Sequence, residues 1–324
     1  MKPCMQEIIL MTQTRLHKPI TIIFKTPPAF MAFNWKTFQT RTLTAIIFAA
    51  VMLTGLLWNK WSFIALFSII HFGCWWEYFN LLEKIHKTVY HLVTRIGFML
   101  MGFSIMLVFC GPIFQIKNYQ LRGDLSFPVA VAGLVILALG IILTKNIKLK
   151  PFGTAALGLL YISLSWGLAM NLYKEMNINT HDGVFVMPSR SNMILMIILS
   201  IWINDTMAYI VGSLIGKRPL SKISPKKTWE GTIGGMVLSV VVVGLIAFFV
   251  LNSGSITIYI MLLAAIASVA GTFGDLLESK LKRIAGVKDS GNIMPGHGGF
   301  LDRFDSLLFA VPAVWLYVFL VFVI

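Results

Sequence analysis

Long apolar runs separated by short polar segments make up most of the chain from residue 43 onward. A helix needs about 20 mostly apolar residues to cross a bilayer. By this measure the pattern predicts nine membrane spans, which lie near residues 43–59, 61–82, 96–115, 127–144, 151–172, 191–214, 231–251, 256–276 and 304–324. The sequence therefore predicts an all-α, polytopic integral membrane protein.

The chain is predicted to have three regions, a leader and two groups of spans. Residues 1–42 form a basic N-terminal leader, within which Met31 is an alternative translation start. Residues 43–190 hold five predicted spans, which we interpret as a transmembrane scaffold. Residues 191–324 hold the other four spans and most of the chemically informative side chains. We therefore expect the catalytic region in the last third of the chain.

Composition agrees with a membrane environment and narrows the class of partner. Hydrophobic residues make up 57% of the chain and charged residues only 12%, whereas soluble domains carry about 25% charge. This excludes a disordered chain and disfavours a soluble globule. The net charge of +14 suits anionic headgroups or phosphorylated substrates. Nucleic acid is not expected as a partner, because the positive charge is dispersed between apolar runs.

The distribution of Lys and Arg predicts a cytoplasmic N-terminus. With that orientation and nine spans, 22 of the 27 basic residues fall in inside segments and five fall outside. Inside loops of membrane proteins carry the excess of basic residues. The odd number of spans then places the C-terminus outside, and the basic loops of the catalytic region on the cytoplasmic side.

Carboxylates are concentrated in the last part of the chain, where six of the 13 acidic residues lie between positions 230 and 305. Asp275 and Glu278 are three residues apart and share a helix face, as do Asp302 and Asp305. Two carboxylates on one face, joined by another from a neighbouring helix, form a hard oxygen site. Mg²⁺ binds through one or two carboxylates together with substrate phosphates.

Structural roles compete with metal binding at these positions. Glu278 can pair with Lys282, four residues later, and an acid in a first turn such as Asp302 offsets the helix dipole. Asp205 lies inside a predicted span, where ionisable groups usually line an interior cavity. The alternative for Asp205 is a polar helix-packing contact with its neighbour Asn204.

The segment S-P-K-K-T-W-E-G at 224–231 carries the first set of predicted phosphate-binding groups. Ser224 is predicted to cap a helix with Pro225 at its first position. Lys226 and Lys227 would then lie near the positive end of that helix, which suits phosphate oxygens. The alternative is that these lysines only anchor the next span on the inside. Close helix packing is predicted at the glycines of this region, Gly231, Gly234 and Gly235.

A glycine-rich loop, K-D-S-G-N-I-M-P-G-H-G-G-F at 288–300, carries the second set. Four glycines and one proline in 13 residues predict a tight loop whose free backbone N–H groups can cradle phosphate. His297 is a candidate for phosphate binding or proton transfer. Its alternative role is to satisfy backbone groups of the loop.

The run S-K-L-K-R-I-A-G-V-K-D-S-G-N-I-M-P-G-H-G-G-F-L-D-R-F-D at 279–305 resembles the signature of phosphatidate cytidylyltransferases, also called CDP-diacylglycerol synthases. The supporting elements occur in the expected order: D-T-M-A-Y at 205–209, S-P-K-K-T-W-E-G at 224–231 and G-D at 274–275. Trp76-Glu77-Tyr78 is also similar to a family feature. The resemblance is strong from residue 200 to residue 324.

The resemblance implies a multi-pass enzyme of a bacterial-type inner membrane that joins CTP and phosphatidate, giving CDP-diacylglycerol and pyrophosphate. It implies a requirement for Mg²⁺, with Asp275 and Asp302 as metal ligands, and K⁺ as a candidate second cation. Membrane lipids are the expected surroundings, and a homodimer is the candidate assembly.

Individual residues then receive expected roles. The expected catalytic residues are Asp275, Asp302, Asp305, Lys227 and Arg303. The expected substrate-binding residues are Ser224, Lys226, Lys227, Thr228, Lys282, Arg283, Lys288 and His297.

Three other functions stay open at the level of sequence. The first is a related transferase that uses a different lipid acceptor. The second is a cation transporter, in which Asp205, Asp275 and Asp302 line a path through the membrane. The third is a non-catalytic membrane scaffold. Pyrophosphate release distinguishes a transferase from the other two classes, and lipid competition distinguishes phosphatidate from other acceptors.

Overall fold

The computed structural model describes residues 35–144, 148–173, 177–180, 183–186, 192–251, 254–293 and 298–322. Ten α-helices lie in this part of the chain: α1 (Trp35–Leu57), α2 (Lys60–His86), α3 (Leu92–Val108), α4 (Ser126–Leu143), α5 (Leu149–Gly158), α6 (Ser165–Leu172), α7 (Asn192–Ile215), α8 (Trp229–Leu251), α9 (Gly254–Ile284) and α10 (Phe300–Phe322). A π-helical stretch, Leu121–Leu125, leads into α4, and another, Leu159–Leu164, joins α5 to α6.

Two short antiparallel hairpins lie in the connections between helices. Strands β1 (Gln115–Ile116) and β2 (Tyr119–Gln120) form the first hairpin, which precedes α4. Strands β3 (Asn177–Thr180) and β4 (Gly183–Val186) form the second, which precedes α7. Helices make up most of the rest of the described chain, as the sequence predicted.

Six helical stretches among the described residues are long and apolar enough to cross a membrane. They are Leu121–Leu143, Leu149–Leu172, Met193–Ile215, Trp229–Val250, Ile256–Ile284 and Phe300–Val321. Two further apolar stretches, Thr42–Leu57 and Leu92–Val108, are shorter. Large apolar side chains such as Leu214, Phe249 and Ile142 are exposed on these helices, as expected where lipid is the solvent. The chain is therefore a multi-pass membrane protein.

We call α1 to α6 the first half of the molecule and α7 to α10 the second half. Local capping sets the boundaries of α2, the longest helix of the first half. Asn59 accepts hydrogen bonds from the backbone N–H groups of Trp61 and Ser62, and the Ser62 hydroxyl accepts one from the backbone N–H of Asn59. This reciprocal capping box separates α2 from α1. The helix ends at Lys87, whose φ of 51° lies in the left-handed region. The sequence predicted a helix here but ended it at residue 82.

The core of the first half is built around aromatic side chains of α2. Phe67, Trp75 and Phe79 are fully buried, and the Phe67 ring lies 5.1 Å from that of Trp166. The Trp75 indole N–H donates to Ser163 Oγ at 2.8 Å, which satisfies its polar atom inside the core. This packing holds α2 beside the second half, where its Glu77 contacts α10.

Helices α7 and α8 approach closely because glycines replace larger residues at their contact. A Cβ atom at Gly231 would lie 2.7 Å from the Ala208 carbonyl oxygen, and one at Gly235 would lie 2.7 Å from Ala208 Cβ. A Cβ at Gly234 would lie 2.6 Å from Val211. The predicted role of these glycines is confirmed. Asp205, in the middle of α7, lines a cavity together with Lys226 and Lys227 of the loop that precedes α8.

Candidate active site

Two carboxylates form ion pairs with one lysine where the carboxyl end of α9 meets the beginning of α10. Lys282 Nζ forms an ion pair with Glu278, and it donates to Asp302 Oδ1 at 2.6 Å. Glu278 is fully buried, so the lysine offsets a charge that would otherwise be costly in the interior. The predicted pairing of Glu278 with Lys282 is confirmed. Asp302 joins the same pair from the neighbouring helix.

The loop between α7 and α8 differs from its prediction. Lys227 N donates to the Ser224 carbonyl at 3.1 Å, which closes a turn over Pro225 and Lys226. The helix begins only at Trp229, so Ser224 is not its cap and that prediction is wrong. Thr228 takes this position, because its Oγ1 accepts from the N–H of Gly231 at 3.1 Å.

The reason for the later helix start is a hairpin-like closure of the loop. Leu220 N donates to the Lys227 carbonyl at 2.7 Å, and Trp229 N donates to the Arg218 carbonyl at 3.0 Å. Glu230 accepts from the backbone N–H groups of Lys217 and Arg218 at 3.1 and 3.2 Å. These contacts commit the backbone of residues 218–229 to pairing across the loop instead of to a longer helix.

Lys227 points from this loop to Asp275 on α9 and forms an ion pair with it. Ser279 Oγ donates to the other oxygen of Asp275 at 3.2 Å. Lys226, Lys227 and Thr228 line a cavity of about 510 Å³ together with Asp275 and Asp205. Its volume lies in the range of about 300–1,000 Å³ that is usual for ligand pockets.

A second, smaller cavity of about 130 Å³ lies where α1, α7 and α10 meet. Its polar side is lined by Asp205, Asp302, Arg303 and Asp305, and its apolar side by Phe48, Met52, Ile198, Ile201, Trp202, Phe304 and Leu307. Asp205 also lines the larger cavity, so the two cavities share a carboxylate. The smaller cavity combines charged groups with an apolar wall.

Asp305 and Asp275 come close because the two helices that carry them pack tightly. A Cβ atom at Gly274 would collide with the Asp305 carbonyl oxygen. Asp305 is 9% exposed and accepts from the N–H of Ser306 at 2.6 Å. Asp205, Asp302 and Asp305 thus line the smaller cavity, and Asp205 and Asp275 line the larger one.

The glycine-rich loop uses its backbone N–H groups differently from the prediction. Ser290 N and Gly299 N both donate to Asp302 Oδ2 at 2.8 Å. Phe300 N donates to Glu77 at 2.9 Å. The N–H groups of these three residues are therefore committed to carboxylates and are not free to cradle phosphate. His297 lies outside the described residues.

The sequence indicated Glu77 only as part of the feature Trp76-Glu77-Tyr78 and did not predict its contacts with α10. Glu77 lies in the middle of α2, is 2% exposed, and accepts hydrogen bonds from the loop and from the start of α10. The sequence signal for this role is a carboxylate in an otherwise apolar stretch, W-W-E-Y, far from any other acidic residue except Glu83. Glu83 differs, because it pairs with Arg95 at 2.6 Å.

The other basic residues of the predicted site lie at its edge. Arg303 is exposed on α10 and lines the smaller cavity. Arg283 donates from Nη1 to the Val287 carbonyl at 3.2 Å, where it stabilises the end of α9. Lys288 is exposed in the loop. The structure therefore brings Lys226, Lys227 and Arg303 to the cavities, whereas Arg283 and Lys288 lie outside their linings.

Metal binding can be tested against the arrangement of these donors. In the part of the chain that the structure describes, no group of three or more His, Cys, Asp or Glu side chains could hold a metal ion. Asp302 Oδ1 has Lys282 as its described partner, and a carboxylate oxygen has about two acceptor positions. Asp275 lines the larger cavity and Asp302 the smaller one, and each carboxylate pairs with a lysine.

Comparison with known proteins identifies the family. The model of the family described as "Cytidylyltransferase family" matches residues 39–321. A phosphatidate cytidylyltransferase of Bacillus subtilis is 32% identical over 279 residues, which cover 85% of this chain and 94% of that protein. One of Staphylococcus aureus is 32% identical over 277 residues, which cover 85% of this chain and 96% of that protein.

A shorter alignment has higher identity. A phosphatidate cytidylyltransferase of Staphylococcus haemolyticus is 51% identical over 121 residues, which cover 37% of this chain and 46% of that protein. That match therefore spans about half of the relative. The two longer matches and the family model cover most of the chain. The fold is that of a polytopic membrane protein, and the chain belongs to the cytidylyltransferase family.

Proposed function

We propose that this protein is a phosphatidate cytidylyltransferase, which converts CTP and phosphatidate into CDP-diacylglycerol and pyrophosphate. The observation that carries the proposal is the larger cavity, because its Lys226, Lys227 and Thr228 meet Asp275 at the polar end of a membrane helix bundle. Family membership and the long relatives that carry this name support the same activity.

The chemistry is a nucleotidyl transfer. A phosphate oxygen of phosphatidate bonds to the α-phosphorus of CTP. The bond from that phosphorus to the oxygen bridging the β-phosphate breaks, and pyrophosphate leaves with the electron pair. The nucleophile is already anionic near neutral pH, so the reaction needs no strong general base. Its main difficulty is to bring anions together, so catalysis rests on charge neutralisation and positioning.

Each cavity suits one of the two substrates. Lys226 and Lys227 offer ammonium groups to the triphosphate of CTP in the larger cavity. Arg303 offers its guanidinium to the lipid phosphate in the smaller cavity, where Phe48 and Trp202 provide an apolar wall for the lipid. Asp205 lines both cavities, so the two phosphates would meet beside it.

The carboxylates hold the lysines and would hold the metal. Asp275 orients Lys227, and Asp302 together with Glu278 orients Lys282. Asp275 and Asp302 are the residues that would hold Mg²⁺, which neutralises phosphate charge and stabilises the leaving group when bound. Asp305 lies beside them and would support the site through its buried charge.

The proposal includes an orientation. Nine crossings with a cytoplasmic N-terminus would place the loops before α8 and α10 in the cytoplasm, where CTP is found. A cysteine at Asp289, which is exposed in the glycine-rich loop, should react with an impermeant maleimide only from the inside. A cysteine at Lys117, in the hairpin before α4, should react only from the outside. Labelling of both from the same side would contradict this topology.

The activity is tested on the purified protein in detergent, with CTP, phosphatidate and Mg²⁺. We expect CDP-diacylglycerol and pyrophosphate in equal amounts, and no product when Mg²⁺ is chelated. Other lipid phosphates are added as competitors to identify the acceptor. Only a lipid that the enzyme accepts should itself receive the cytidylyl group and lower the rate of CDP-diacylglycerol formation. The same preparation tests K⁺ by its omission and the homodimer by mass measurement in detergent. Cation flux without nucleotide transfer would instead support a transporter.

A further inference from the structure

Glu77 joins the first half of the molecule to the loop that precedes α10. Its Oε1 accepts from Phe300 N at 2.9 Å, and its Oε2 accepts from Leu301 N at 2.9 Å. Ser290 Oγ donates to Oε2 at 2.6 Å. A side chain of α2 thus binds the first turn of α10 and the beginning of the glycine-rich loop at the same time.

Asp302 completes this network from the other side. Its Oδ2 accepts from the N–H groups of Ser290 and Gly299, each at 2.8 Å, and lies 2.9 Å from Ser290 Oγ. The N–H of Asp302 in turn donates to Ser290 Oγ at 3.3 Å. Glu77 and Asp302 together therefore satisfy the N–H groups that the start of a helix leaves without intrahelical partners.

The loop packs directly against the Glu77 carboxylate. A Cβ atom at Gly291 or at Gly299 would collide with the carboxylate oxygens of Glu77. The backbone approaches this closely only because both positions are glycine. The two ends of the loop are held on one buried carboxylate, and Asp302 follows the second end by three residues.

We propose that Glu77 is a positioning residue for the transfer reaction. It fixes the ends of the glycine-rich loop and the first turn of α10, and in this way it sets the orientation of Asp302 toward Lys282. The inference rests on the proposed function, because it assigns Asp302 a role in that reaction. Glu77 itself is buried and is not among the residues that line the two cavities.

The contacts require a carboxylate and not merely a polar group of the same size. Both oxygens of Glu77 accept hydrogen bonds from N–H groups of α10. Glutamine has one carbonyl oxygen and one NH₂ group, and the NH₂ group only donates. In Glu77→Gln one backbone N–H of α10 must therefore face another donor, whichever way the amide is turned.

The test compares three variants of the full-length protein in detergent. Glu77→Gln breaks the proposed contact with almost no change in volume. Glu83→Gln is the matched control, because Glu83 lies on the same helix and accepts from the N–H of Tyr90 at 2.7 Å, away from the loop. Ser290→Ala removes only the hydroxyl group that lies between Glu77 and Asp302. This variant can test the role of Glu77 even if Glu77→Gln does not fold.

Two measurements separate positioning from general stability. Hydrogen–deuterium exchange should accelerate in Glu77→Gln at the loop ends and the first turn of α10, and not in α7 or α8. The rate constant kcat should fall by about 10- to 100-fold, as is usual when residues that orient metal-binding groups are changed. The KM for CTP should stay near the wild-type value, because Lys226 and Lys227 are unaffected. Ser290→Ala should change both measurements in the same direction by less, and Glu83→Gln should change neither.

Three results would overturn the inference. The first is a wild-type kcat in folded Glu77→Gln. The second is faster exchange over the whole protein with equal effects of Glu77→Gln and Glu83→Gln, which would indicate a stability role alone. The third is unchanged exchange at the loop ends in Ser290→Ala and Glu77→Gln. Absence of transfer by the wild-type protein would refute the proposed function, whereas the exchange data would still decide whether Glu77 anchors the loop.

Discussion

The two halves of the molecule use different side chains for packing. In the described chain, the fully buried Phe and Trp side chains all lie between Phe63 and Trp166. In α7 to α10 the buried positions include small residues such as Ala264, Ala267 and Ser268. Glycines let helix backbones approach closely in both halves, as at Gly97 beside Leu137 and at Gly235 beside Asn204, but the fully buried Phe and Trp rings of the described chain lie in the first half.

Aromatic packing is therefore concentrated in the first half, and the paired charges of the candidate site are concentrated in the second. Close packing through small residues leaves the polar ends of α7, α9 and α10 near one another, where Lys227 pairs with Asp275 and Lys282 pairs with Asp302. The aromatic half supplies a firm support beside them. Polar groups of the first half should therefore affect stability, and those at the helix ends of the second half should affect the rate. Glu77 is the exception, because it lies in the first half and holds the loop of the second.

The largest effect should follow removal of the Asp302 charge. Asp302→Asn weakens the pairing with Lys282 and the anchoring of the loop, so we expect activity to fall on the order of 100-fold or more, as for loss of a group that stabilises developing charge. The variant should remain folded in detergent. Asp289→Asn, an exposed acid of the same loop, should keep wild-type activity. Equal activity of the two variants would contradict a special role of Asp302.

The next largest effect should be on nucleotide affinity. Lys227→Ala removes a charge from the larger cavity and leaves Asp275 without its ion pair. Hydrogen bonds to charged groups contribute about 1.5–3 kcal/mol, so the KM for CTP should rise by roughly ten-fold or more. Steady-state kinetics at varied CTP measures this change. Lys222→Ala, at an exposed lysine of the same loop, should leave the KM unchanged; a matching increase there would return Lys227 to the role of a topology anchor.

A substitution in the packing of the second half should lower stability instead. Gly235→Ala places a methyl group 2.7 Å from Ala208 Cβ and from the Asn204 carbonyl oxygen. Overpacking of this kind costs about 1–3 kcal/mol, which thermal unfolding in detergent can detect. Gly153→Ala is the control, because a Cβ there would meet no atom within 4 Å. If both variants unfold at the wild-type temperature, the α7–α8 contact is looser than described.

The smallest effect should come from a hydrogen bond between the halves. The indole N–H of Trp315 on α10 donates to Asn171 Oδ1 on α6 at 2.9 Å. Trp315→Phe keeps an aromatic ring but loses this bond, which should cost about 0.5–1.5 kcal/mol with little effect on kcat. Trp58→Phe, at a side chain that is 75% exposed, is the control for unfolding. A large loss of activity in Trp315→Phe would contradict the expectation that this contact between the halves affects stability and not the rate.

The sequence predicted the parts of this structure that depend on local patterns. Apolar runs located the helices, the i,i+4 spacing predicted the Glu278–Lys282 pair, and the glycines of α8 predicted close helix packing, although not that α7 is the partner. The start of α8 was predicted wrongly. Ser224-Pro225 satisfies the local rules for a helix cap, but the backbone there pairs across the loop, and Glu230 closes that pairing. Contacts between distant segments carry no local signal.

Glu77 illustrates that limit. It lies more than 200 residues before its partners in α10, so no periodicity connects them. Similarly, the glycine-rich loop has the composition of a phosphate cradle, yet the N–H groups described at its ends bind carboxylates. Which donor meets which acceptor depended on how α2 packs beside α10. The residue types of the site were predictable, and their pairing was not.

In the proposed reaction, the carboxylate and lysine pairs of the second half catalyse transfer of a cytidylyl group to a lipid phosphate. The most direct measurement is the yield of CDP-diacylglycerol and pyrophosphate from CTP and phosphatidate, with wild-type protein and Asp275→Asn in parallel. We predict equimolar products from the wild type and almost none from the folded variant. Equal yields from both proteins, or no product from folded wild type with any lipid phosphate, would contradict the account.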